Sequence, residues 1–287
     1  MERSSSTERY QPVTSKNSGD VVEVLPDLAY LTDQIVNVIF VGNPEPGNPW
    51  VLVDAGMPKS GGKIIEKAEE RFGKDRPPEA IVLTHGHFDH IGGIIDILEK
   101  WHVPVYAHPL EHPYLTGSEN YPDPDVTVEG GMLAKLSFLF PTDPIVITEF
   151  LEGLPEDGTV PPLPGWRWIH TPGHSAGHVS FFRDADRALI AGDAFVTVRQ
   201  DQLYKVMTQE KELTGPPRYL TPDWTAAESS VHTLNGLKPA YAVTGHGEAA
   251  EGAWLTEHLD TLDRHFKELA VPDHGKYVKD EEKGNGR

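Results

Sequence analysis

Strand-like and helix-like segments follow each other in two successive rounds along the chain, and this order is the feature that most restricts the fold. Each round begins with β-rich runs ended by Pro, Asp or Gly and continues with segments that have apolar residues at helical spacing. The strand-like runs are VVEVL, LAYLT, IVNVIFVG, WVLVDAG and EAIVLT, and after residue 165 WRWIHT, HVSFFR, RALIAGDAF and AYAVTG. The helical segments are 61–73, 91–101, 222–237 and 252–270. Two such rounds predict an α/β protein with two sheets packed face to face and helices outside, in one domain.

Composition shifts divide the chain into three segments. Residues 1–20 lack an apolar period and predict a flexible N-terminal arm, whereas residues 271–287 predict a charged C-terminal tail. Residues 21–270 between them are expected to form a single domain. Within it, residues 113–165 are rich in Pro, Gly and Asp and hold one apolar segment, MLAKLSFLF at 132–140. This segment is either an ordinary packed helix or a helix that covers a pocket or a partner, and we expect any homodimer to form through it.

Charge and cysteine content exclude several classes of function. The formal net charge of −19 repels phosphate backbones, so a nucleic acid is not an expected partner. The chain has no cysteine, which excludes disulfides, thiolate metal ligands and cysteine nucleophiles, so any metal must be bound by nitrogen and oxygen. No apolar run approaches the length of a membrane span, and the polar first residues lack the apolar core of a signal peptide. We therefore expect a cytoplasmic protein without a membrane partner.

The stretch LTHGHFDHIGG, residues 83–93, concentrates metal-ligand side chains at the end of an apolar strand. Side chains two apart on an extended strand share a face, so His85 and His87 are predicted to point the same way. Asp89 and His90 follow at the turn into the next helix, where they can aim at the same volume, and the glycine pair after them allows close backbone packing. Four ligand-type side chains within six positions predict a metal site, and imidazole and carboxylate suit zinc, iron or manganese.

Three later stretches place further ligand-type side chains next to predicted strands. IHTPGHSAGH contains His170, His174 and His178, and its Pro-Gly pair bends the chain just before His174. LIAGDAF places Asp193 directly after an apolar strand, and AVTGHGE places His246 between two glycines. Each side chain alone could equally be a buried, hydrogen-bonded residue of the core. Because loops at one edge of packed sheets converge, we expect the set to complete two metal coordination shells.

The motifs THGHFDH, TPGHSAGH, GDA and TGHG, in this order, resemble those of the metallo-β-lactamase superfamily of metallohydrolases. The resemblance covers roughly residues 21–270. It implies an αββα sandwich, in which two mixed β-sheets are flanked by helices and the metals lie at one edge of the sheets. It also implies the following ligands: His85, His87 and His174 for the first metal, Asp89, His90 and His246 for the second, and Asp193 as a bridge between the two.

By this resemblance the cofactor is a pair of divalent metal ions, Zn²⁺ first, with Mn²⁺ or Fe²⁺ as alternatives. Water bound to such ions ionises near pH 7, so a bridging hydroxide can attack a carbonyl or phosphoryl centre without a serine or cysteine nucleophile. Asp89 is the predicted catalytic residue that passes a proton to the leaving group. His170 and His178 flank a ligand and are expected to hydrogen-bond the ligands from behind, with a structural role as the alternative for His178.

Differences from individual branches of the superfamily narrow the substrate class. The absence of cysteine excludes branches with a cysteine ligand, and Asp193 in the bridging position resembles the hydrolase, lactonase and thioesterase branches rather than true β-lactamases. The glyoxalase II type has a basic helical region after its last ligand, which the acidic segment after His246 does not resemble. The flavin-linked di-iron branch has Glu at the position of His87, and nuclease branches need a basic surface.

The metal ligands and the general size resemble those of an acyl-homoserine lactonase. The tyrosine that this family places three residues after the bridging aspartate is Val196 here, and Tyr204 or Lys205 is the predicted replacement in the substrate pocket. Aromatic residues in and around the irregular stretches 113–165 and 197–221 predict a substrate with an apolar part, with packing in the core as the alternative. These aromatic residues are Phe138, Phe140, Phe150, Phe195, Tyr204, Tyr219 and Trp224.

The leading hypothesis is a dinuclear metallohydrolase that opens an ester, lactone or related acyl bond in a small molecule. A β-lactam or thioester hydrolase of the same superfamily is an alternative. The main rival is an oxidoreductase, because persulfide dioxygenases of the superfamily resemble the chain at the strand-end ligands but use one iron. A non-catalytic metal-binding protein is the third class. The remaining histidines are expected at the surface or in the core: His102, His108, His112, His232, His258, His265 and His274.

Overall fold

A computed structural model describes residues 1, 14–128, 145–200 and 203–279 of the 287-residue chain. The described residues fall into two compact units, the first within Met1–Tyr121 and Pro141–Pro164 and the second within Pro122–Phe140 and Gly165–Arg287. Each unit is built on its own β-sheet and has its own apolar core.

The first unit contains a mixed seven-stranded sheet whose strands lie in chain order. The strands are β1 (Val21–Leu25), β2 (Leu28–Asp33), β3 (Val36–Val41), β4 (Val51–Val53), β5 (Ile81–Val82), β6 (Val105–Ala107) and β7 (Leu151–Gly153). Strands β1 to β4 form an antiparallel meander, and β4 to β7 pair in parallel. All residues of β2, β3, β4 and β5 are buried, which explains why these strands read as continuous apolar runs rather than as alternating ones.

The two longer helices of the first unit, α1 and α3, bury apolar residues. The helices are α1 (Gly61–Phe72), α2 (Phe88–Ile91), α3 (Ile94–Trp101) and α4 (His112–Leu115). Helix α1 buries Ile64, Ala68 and Phe72, which are spaced four residues apart and therefore share one face of the helix. Gly73 ends α1 in a positive-φ conformation, and its N–H donates to the Glu69 carbonyl.

Three aromatic side chains fix α1 and α3 to the first sheet. The indole of Trp50, just before β4, stacks on the Phe72 ring with 4.2 Å between centroids and an interplanar angle of 8°. The same indole meets Trp101 of α3 edge-on at 5.7 Å. Contacts of this kind add about 0.5–1.5 kcal/mol each beyond the burial of the rings. Helix α3 directly follows the histidine cluster, so this packing also places the cluster relative to the sheet.

The second unit contains a mixed five-stranded sheet. Its strands are β8 (Trp166–His170), β9 (Val179–Arg183), β10 (Ala188–Gly192), β11 (Tyr241–Thr244) and β12 (Ala250–Glu251). The strand order is β12-β11-β10-β9-β8, and β10 and β11 pair in parallel whereas the other pairs are antiparallel. Gly192 and Thr244 are register partners at the carboxyl ends of the parallel pair. The loops that follow these two residues therefore start side by side.

Helices of the second unit pack on its sheet through a core that includes Trp224, Leu234, Leu259 and Phe266. The helices are α5 (Leu203–Thr208), α6 (Trp224–Gly236), α7 (Gly252–Arg264) and α8 (Phe266–Leu269). Helix α6 begins at Asp223, whose carboxylate accepts a hydrogen bond of 2.9 Å from the Ala226 N–H. This contact satisfies one of the backbone donors that every helix start leaves without an intrahelical partner.

Replacing Asp223 by alanine is expected to lower the free energy of unfolding by about 1 kcal/mol, because the Ala226 N–H loses its acceptor. Guanidinium unfolding followed by circular dichroism measures the change. Ser229→Ala on the exposed side of the same helix is the matched control, and its effect should stay within about 0.5 kcal/mol. Equal losses in the two variants would contradict the capping role.

The observed elements confirm the predicted α/β class with two mixed sheets and flanking helices. The short strands β7 and β12 and the helix α5 were not predicted, since segments of two to six residues carry little periodicity. The predicted helix over 91–101 corresponds to α3, which begins after Gly92 and Gly93, while α2 lies mostly before it, and the predicted closing helix is divided at His265.

Some expectations concern residues or boundaries that the structure does not test. The segment 132–140, with Phe138 and Phe140, lies outside the described residues, and so does the expected homodimer contact. The division into arm, domain and tail stays a prediction, while Val271 lies in the apolar core of the second unit. Within the described ranges, no helix is long and apolar enough to cross a membrane.

Candidate metal centre

Four ligand-type side chains lie close together in the first unit, in the loop after β5 and in the short helix α2. His85, His87, Asp89 and His90 are each at most 6% exposed. The ring centroid of His85 lies 4.6 Å from that of His87 and 4.2 Å from that of His90. The His90 Nε2 lies 4.0 Å from the Asp89 Oδ2. The four side chains therefore lie close together, and their assignment as metal ligands stays a prediction.

The two histidines of the His-x-His motif lie in a loop and not at the end of an extended strand, so the predicted strand was too long. Strand β5 ends at Val82, and the Thr84 N–H donates to the Asp54 Oδ1 at 2.8 Å. This side-chain acceptor replaces a ladder partner and turns the chain away from the sheet. His87 then has extended dihedral angles, with φ −64° and ψ 153°, directly before α2.

Asp54 supports the cluster from behind and was missed by the sequence analysis. Its carboxylate is fully buried and accepts three hydrogen bonds of 2.8 Å, from the Thr84 N–H, the Thr84 hydroxyl and the His90 Nδ1. The Nδ1 of His90 therefore carries the proton, and the Nε2 is the atom that would bind a metal ion. The motif WVLVDAG contains the signal that could have found it, because Asp54 follows a strand and precedes a small residue just as Asp193 does.

The same hydrogen-bond chain sets the tautomer of His85. The Thr84 hydroxyl donates to Asp54, so it accepts the hydrogen bond from the Nδ1 of His85, which lies 3.0 Å away. Proton placement on His85 and His90 thus follows from one buried carboxylate. Both rings are left with an Nε2 lone pair, the form in which imidazole binds metals.

Glycines allow the loop that carries Asp54 to pack directly on the end of α2. The N–H groups of Gly92 and Gly93 donate to the carbonyls of Gly56 and Ala55 at 2.8 and 3.0 Å. A Cβ at position 92 would lie 2.2 Å from the Pro58 nitrogen, so no larger residue fits without moving the backbone. This close approach keeps Asp54 within hydrogen-bond distance of His90.

The second unit brings together three further ligand-type side chains. His174, Asp193 and His246 are each at most 2% exposed. The Oδ2 of Asp193 lies 3.4 Å from the Nε2 of His174 and 3.2 Å from the Nε2 of His246. Asp193 and His246 follow the parallel strands β10 and β11, whose adjacent ends bring the two loops together. One carboxylate oxygen is thereby placed next to two imidazole nitrogens.

His178 and His170 hold the loops that carry these ligands. The Nε2 of the fully buried His178 accepts a hydrogen bond of 2.9 Å from the Asp193 N–H. Its Nδ1 lies 3.1 Å from the Thr171 carbonyl, which fixes the proton on that nitrogen. His170 is exposed, and its Nε2 lies 2.8 Å from the Ala176 carbonyl. His178 therefore contacts the backbone of a predicted ligand residue, whereas the His170 contact is with the carbonyl of Ala176 in the loop that carries His174.

Hydrogen bonds behind His174 direct its Nε2 towards Asp193. The Thr221 hydroxyl donates to the Pro217 carbonyl at 2.8 Å and lies 3.3 Å from the Nδ1 of His174. The hydroxyl can then accept the Nδ1 proton, which leaves the Nε2 lone pair on the side of the carboxylate. The arrangement corresponds to that of His85, with a threonine hydroxyl behind the imidazole.

The predicted substrate residues lie at the surface of the second unit. The Tyr204 side chain is 73% exposed on α5. The Nζ of Lys205 lies 2.6 Å from a Glu212 carboxylate oxygen and 3.2 Å from one of Glu210, and the hydrogen bond to Glu212 raises the pKa of the lysine. Val196 is fully buried and forms an isolated bridge with Thr214. The role of Tyr204 and Lys205 in substrate binding stays a prediction.

Several of the aromatic residues that predicted an apolar substrate belong to the cores. Phe195 and Trp224 are part of the main apolar core of the second unit, and Tyr219 packs with Val128 in a smaller cluster. Phe150 packs against the core of the first unit. None of the seven histidines assigned to the surface or core is buried: His102, His108, His112, His232, His258, His265 and His274.

The chemistry of the donor set fits metal ions. Each unit has buried imidazole and carboxylate groups of the kind that holds metal ions: His85, His87, Asp89 and His90 in the first unit, and His174, Asp193 and His246 in the second. Imidazole nitrogen and carboxylate oxygen are ligands that zinc, iron and manganese accept, and burial of carboxylates needs compensation by positive charge. Two mixed sheets whose strand-end loops carry such groups define the class of α/β metallohydrolases.

Comparison with known proteins identifies the family. The sequence model described as Metallo-beta-lactamase superfamily matches residues 31–246, which is most of the chain. The chain belongs to the metallo-β-lactamase superfamily.

Individual relatives agree with this assignment. The chain is 50% identical over 253 residues to the "Probable metallo-hydrolase YflN" of Bacillus subtilis (strain 168). The match covers 88% of this chain and 96% of that protein. Among solved structures it is similar to TTHA1623 in a di-iron-bound form, at 27% identity and a TM-score of 0.52, covering 85% of this chain and 97% of that one. The Rm3 metallo-beta-lactamase shares the fold at 20% identity and a TM-score of 0.57, with 80% of each chain covered.

Proposed function

We propose that the protein binds two divalent metal ions and hydrolyses an ester, a lactone or a related acyl bond in a small molecule. The assigned ligands are His85, His87 and His174 for one ion, Asp89, His90 and His246 for the other, and Asp193 for both. Zinc is our first candidate, and iron and manganese are the alternatives, since all three accept imidazole nitrogen and carboxylate oxygen as ligands.

The observation that carries the proposal is the position of one carboxylate oxygen. The Oδ2 of Asp193 lies within 3.4 Å of imidazole nitrogens from two different loops, which are assigned to different ions. A carboxylate that binds two ions must lie between the ligands of the first ion and those of the second. The buried Asp193 would also supply negative charge that offsets part of the four positive charges of two divalent ions.

Residues around the proposed centre would position ligands and move a proton. When bound, two divalent ions supply an ionised water near neutral pH and polarise the carbonyl oxygen of the substrate. Thr84 and Asp54 keep the Nδ1 protons of His85 and His90 in place, so each ring presents its Nε2. Asp89 lies in the first turn of α2 and is the proposed residue that carries a proton to the oxygen of the leaving group.

The comparisons support hydrolysis as the type of reaction more strongly than they support zinc as the metal. The Bacillus subtilis relative, at 50% identity, is described as a probable metallo-hydrolase. The 27% identical solved structure is described in a di-iron-bound form, which favours iron as the alternative to zinc. A single iron would instead point to the persulfide dioxygenase type of chemistry.

Elemental analysis of the purified protein, followed by assays before and after chelation, tests the proposal. We expect close to two metal ions per chain, and hydrolysis of at least one member of a panel of aryl esters and lactones. Dialysis against a chelator should reduce the rate at least about 100-fold, and addition of Zn²⁺ should restore it, because the ionised water depends on the metal.

Other outcomes distinguish the rivals. One iron per chain with oxygen uptake on a persulfide substrate would replace the hydrolase with an oxidoreductase. Turnover restricted to a chromogenic β-lactam would change the substrate class. Two ions without turnover on any ester, lactone, thioester or β-lactam would favour a metal-binding protein without catalysis.

A further inference from the structure

A buried carboxylate stands directly behind the His-x-His loop of the first unit. Glu111, the last residue of a 3₁₀ turn after β6, is fully buried. Its Oε2 accepts a hydrogen bond of 2.9 Å from the N–H of Gly86, the residue between His85 and His87. The same oxygen accepts the hydroxyl proton of Tyr121. One oxygen atom therefore joins the backbone of the ligand loop to a tyrosine side chain.

The Tyr121 ring lies against His87. It is 7% exposed, and its centroid lies 4.5 Å from the centroid of the His87 imidazole, with 59° between the planes. The Tyr121 ring also stacks with the Tyr114 ring, with 3.9 Å between centroids and 24° between the planes. Two close ring contacts and a hydrogen bond at the hydroxyl leave Tyr121 little freedom to rotate.

The ring also packs on the backbone of the ligand loop. A Cβ at position 86 would lie 2.5 Å from the Tyr121 hydroxyl oxygen and 3.1 Å from a methyl carbon of Leu115. Tyr121 thus fills the space in which any side chain at position 86 would stand. The position of the loop and the position of the ring are mutually dependent.

The three histidines of the cluster, two in the loop and one in α2, are oriented in two different ways. His85 and His90 are held at their Nδ1 atoms by the chain of Thr84 and Asp54. His87 is held at its ring by Tyr121, which Glu111 anchors to the loop itself. Metal ligands need such support, because an imidazole that can rotate must lose that freedom when it binds an ion.

We propose that Glu111 and Tyr121 act as a positioning pair that fixes the orientation of His87 and thereby sets the affinity of the ion that His87 binds. The inference rests on the proposed function, because it takes His87 as a metal ligand. Neither residue is expected to touch the metal or the substrate. Their effect should therefore appear in metal binding before any assay of turnover.

Tyr121→Phe is the first test, because it removes the hydroxyl and keeps the ring. We expect about 10-fold weaker binding of one of the two ions, and Tyr121→Leu, which also removes the ring contact with His87, should weaken it about 100-fold. The measurement is competition for Zn²⁺ and Co²⁺ with a chromophoric chelator, together with the visible absorption spectrum of the Co²⁺-loaded protein. The intensity and position of the cobalt bands report the coordination geometry and do not depend on turnover.

Tyr114→Phe is the matched control. Its ring stays stacked on Tyr121, and the lost hydroxyl is not the one that donates to Glu111. Metal affinity and the cobalt spectrum should be unchanged. Glu111→Gln keeps an oxygen acceptor for the Gly86 N–H, so its metal affinity should stay within about threefold of that of the parent. Glu111→Ala should bind one ion about 10-fold more weakly.

The outcomes separate the failure of this inference from that of the proposed function. If the parent protein binds fewer than two ions, the dinuclear proposal fails. If the parent binds two ions and Tyr121→Phe, Tyr121→Leu and Glu111→Ala bind both with parental affinity and an unchanged cobalt spectrum, the positioning role is overturned. Circular dichroism of the metal-free variants checks folding, and Tyr121→Phe compared with Tyr114→Phe still decides the matter if Tyr121→Leu or Glu111→Ala does not fold.

Discussion

Asp193→Ala is expected to leave the protein with fewer than one metal ion per chain and to reduce hydrolysis at least about 1,000-fold, because the variant lacks the carboxylate assigned to both ions. In the parent, the Oδ2 of Asp193 lies 3.4 Å from the Nε2 of His174 and 3.2 Å from that of His246. Without this carboxylate, the two divalent ions would lose a negative charge that offsets theirs in a buried environment. Elemental analysis after gel filtration and an ester or lactone assay measure the two effects together.

Two further variants make this result interpretable. Asp193→Asn keeps the shape of the side chain and one oxygen but removes the charge, so it should retain more metal than Asp193→Ala. His170→Ala is the matched control, because this exposed histidine contacts the Ala176 carbonyl in the loop that also carries His174. It should keep about two ions per chain. Metal loss in His170→Ala as large as in Asp193→Ala would contradict the ligand assignment.

The backbone of the Asp193 loop should survive these substitutions. The Asp193 N–H donates to His178, and this bond does not involve the replaced side chain. Metal loss in Asp193→Ala can thus be attributed to the carboxylate when the circular dichroism spectrum is unchanged. Loss of the folded circular dichroism spectrum would instead show that the charge of Asp193 is needed for folding.

Asp54→Ala is expected to lower the free energy of unfolding by about 3 kcal/mol, the largest stability effect among the proposed variants, because three buried donors lose their acceptor. The Thr84 N–H, the Thr84 hydroxyl and the His90 Nδ1 all point at this carboxylate from 2.8 Å. Loss of the bond to His90 should also weaken metal binding about 10-fold to 100-fold. Guanidinium unfolding of the metal-free protein separates the first effect from the second.

Asp75→Ala provides a control for the backbone contribution. Asp54 and Asp75 both have positive φ, 63° and 59°, a conformation that alanine tolerates less well than aspartate. The Asp75 carboxylate is 76% exposed and lies 4.0 Å from the Lys100 ammonium. Its replacement should lower the free energy of unfolding by about 1 kcal/mol. The additional loss in Asp54→Ala then measures the contribution of the buried hydrogen bonds. Similar losses in the two variants would show that the carboxylate of Asp54 contributes little.

Local concentration of residue types made the ligands predictable from the sequence. His85, His87, Asp89 and His90 lie within six positions, so their proximity follows from chain connectivity alone. The longer strands and helices were equally accessible, because their apolar periods extend over five or more residues. The short strand β7 and the interruption of a helix at Gly92 depend on contacts with distant parts of the chain, which a local pattern does not contain.

Residues that support the ligands were harder to find than the ligands. Asp54 contacts a histidine 36 positions later, and Glu111 contacts the Gly86 N–H from 25 positions away. Nothing in the sequence near Glu111 distinguishes it from the surface glutamates of an acidic chain. The ion pairs of Lys205 with Glu212 and Glu210 were equally inaccessible from the sequence, and its role in substrate binding stays a prediction. These roles become visible when the partners are known.

The contact between Gly86 and Tyr121 has a consequence for the evolution of the superfamily. A Cβ at position 86 would lie 2.5 Å from the tyrosine hydroxyl oxygen, so a larger residue at the variable position of the His-x-His motif requires the tyrosine ring or the loop to move. Homologous sequences with a larger residue between the two histidines should therefore lack an aromatic residue at the position of Tyr121. Positions 86 and 121 are therefore expected to covary. The residue between the two histidines then predicts the type of residue 35 positions further along the chain.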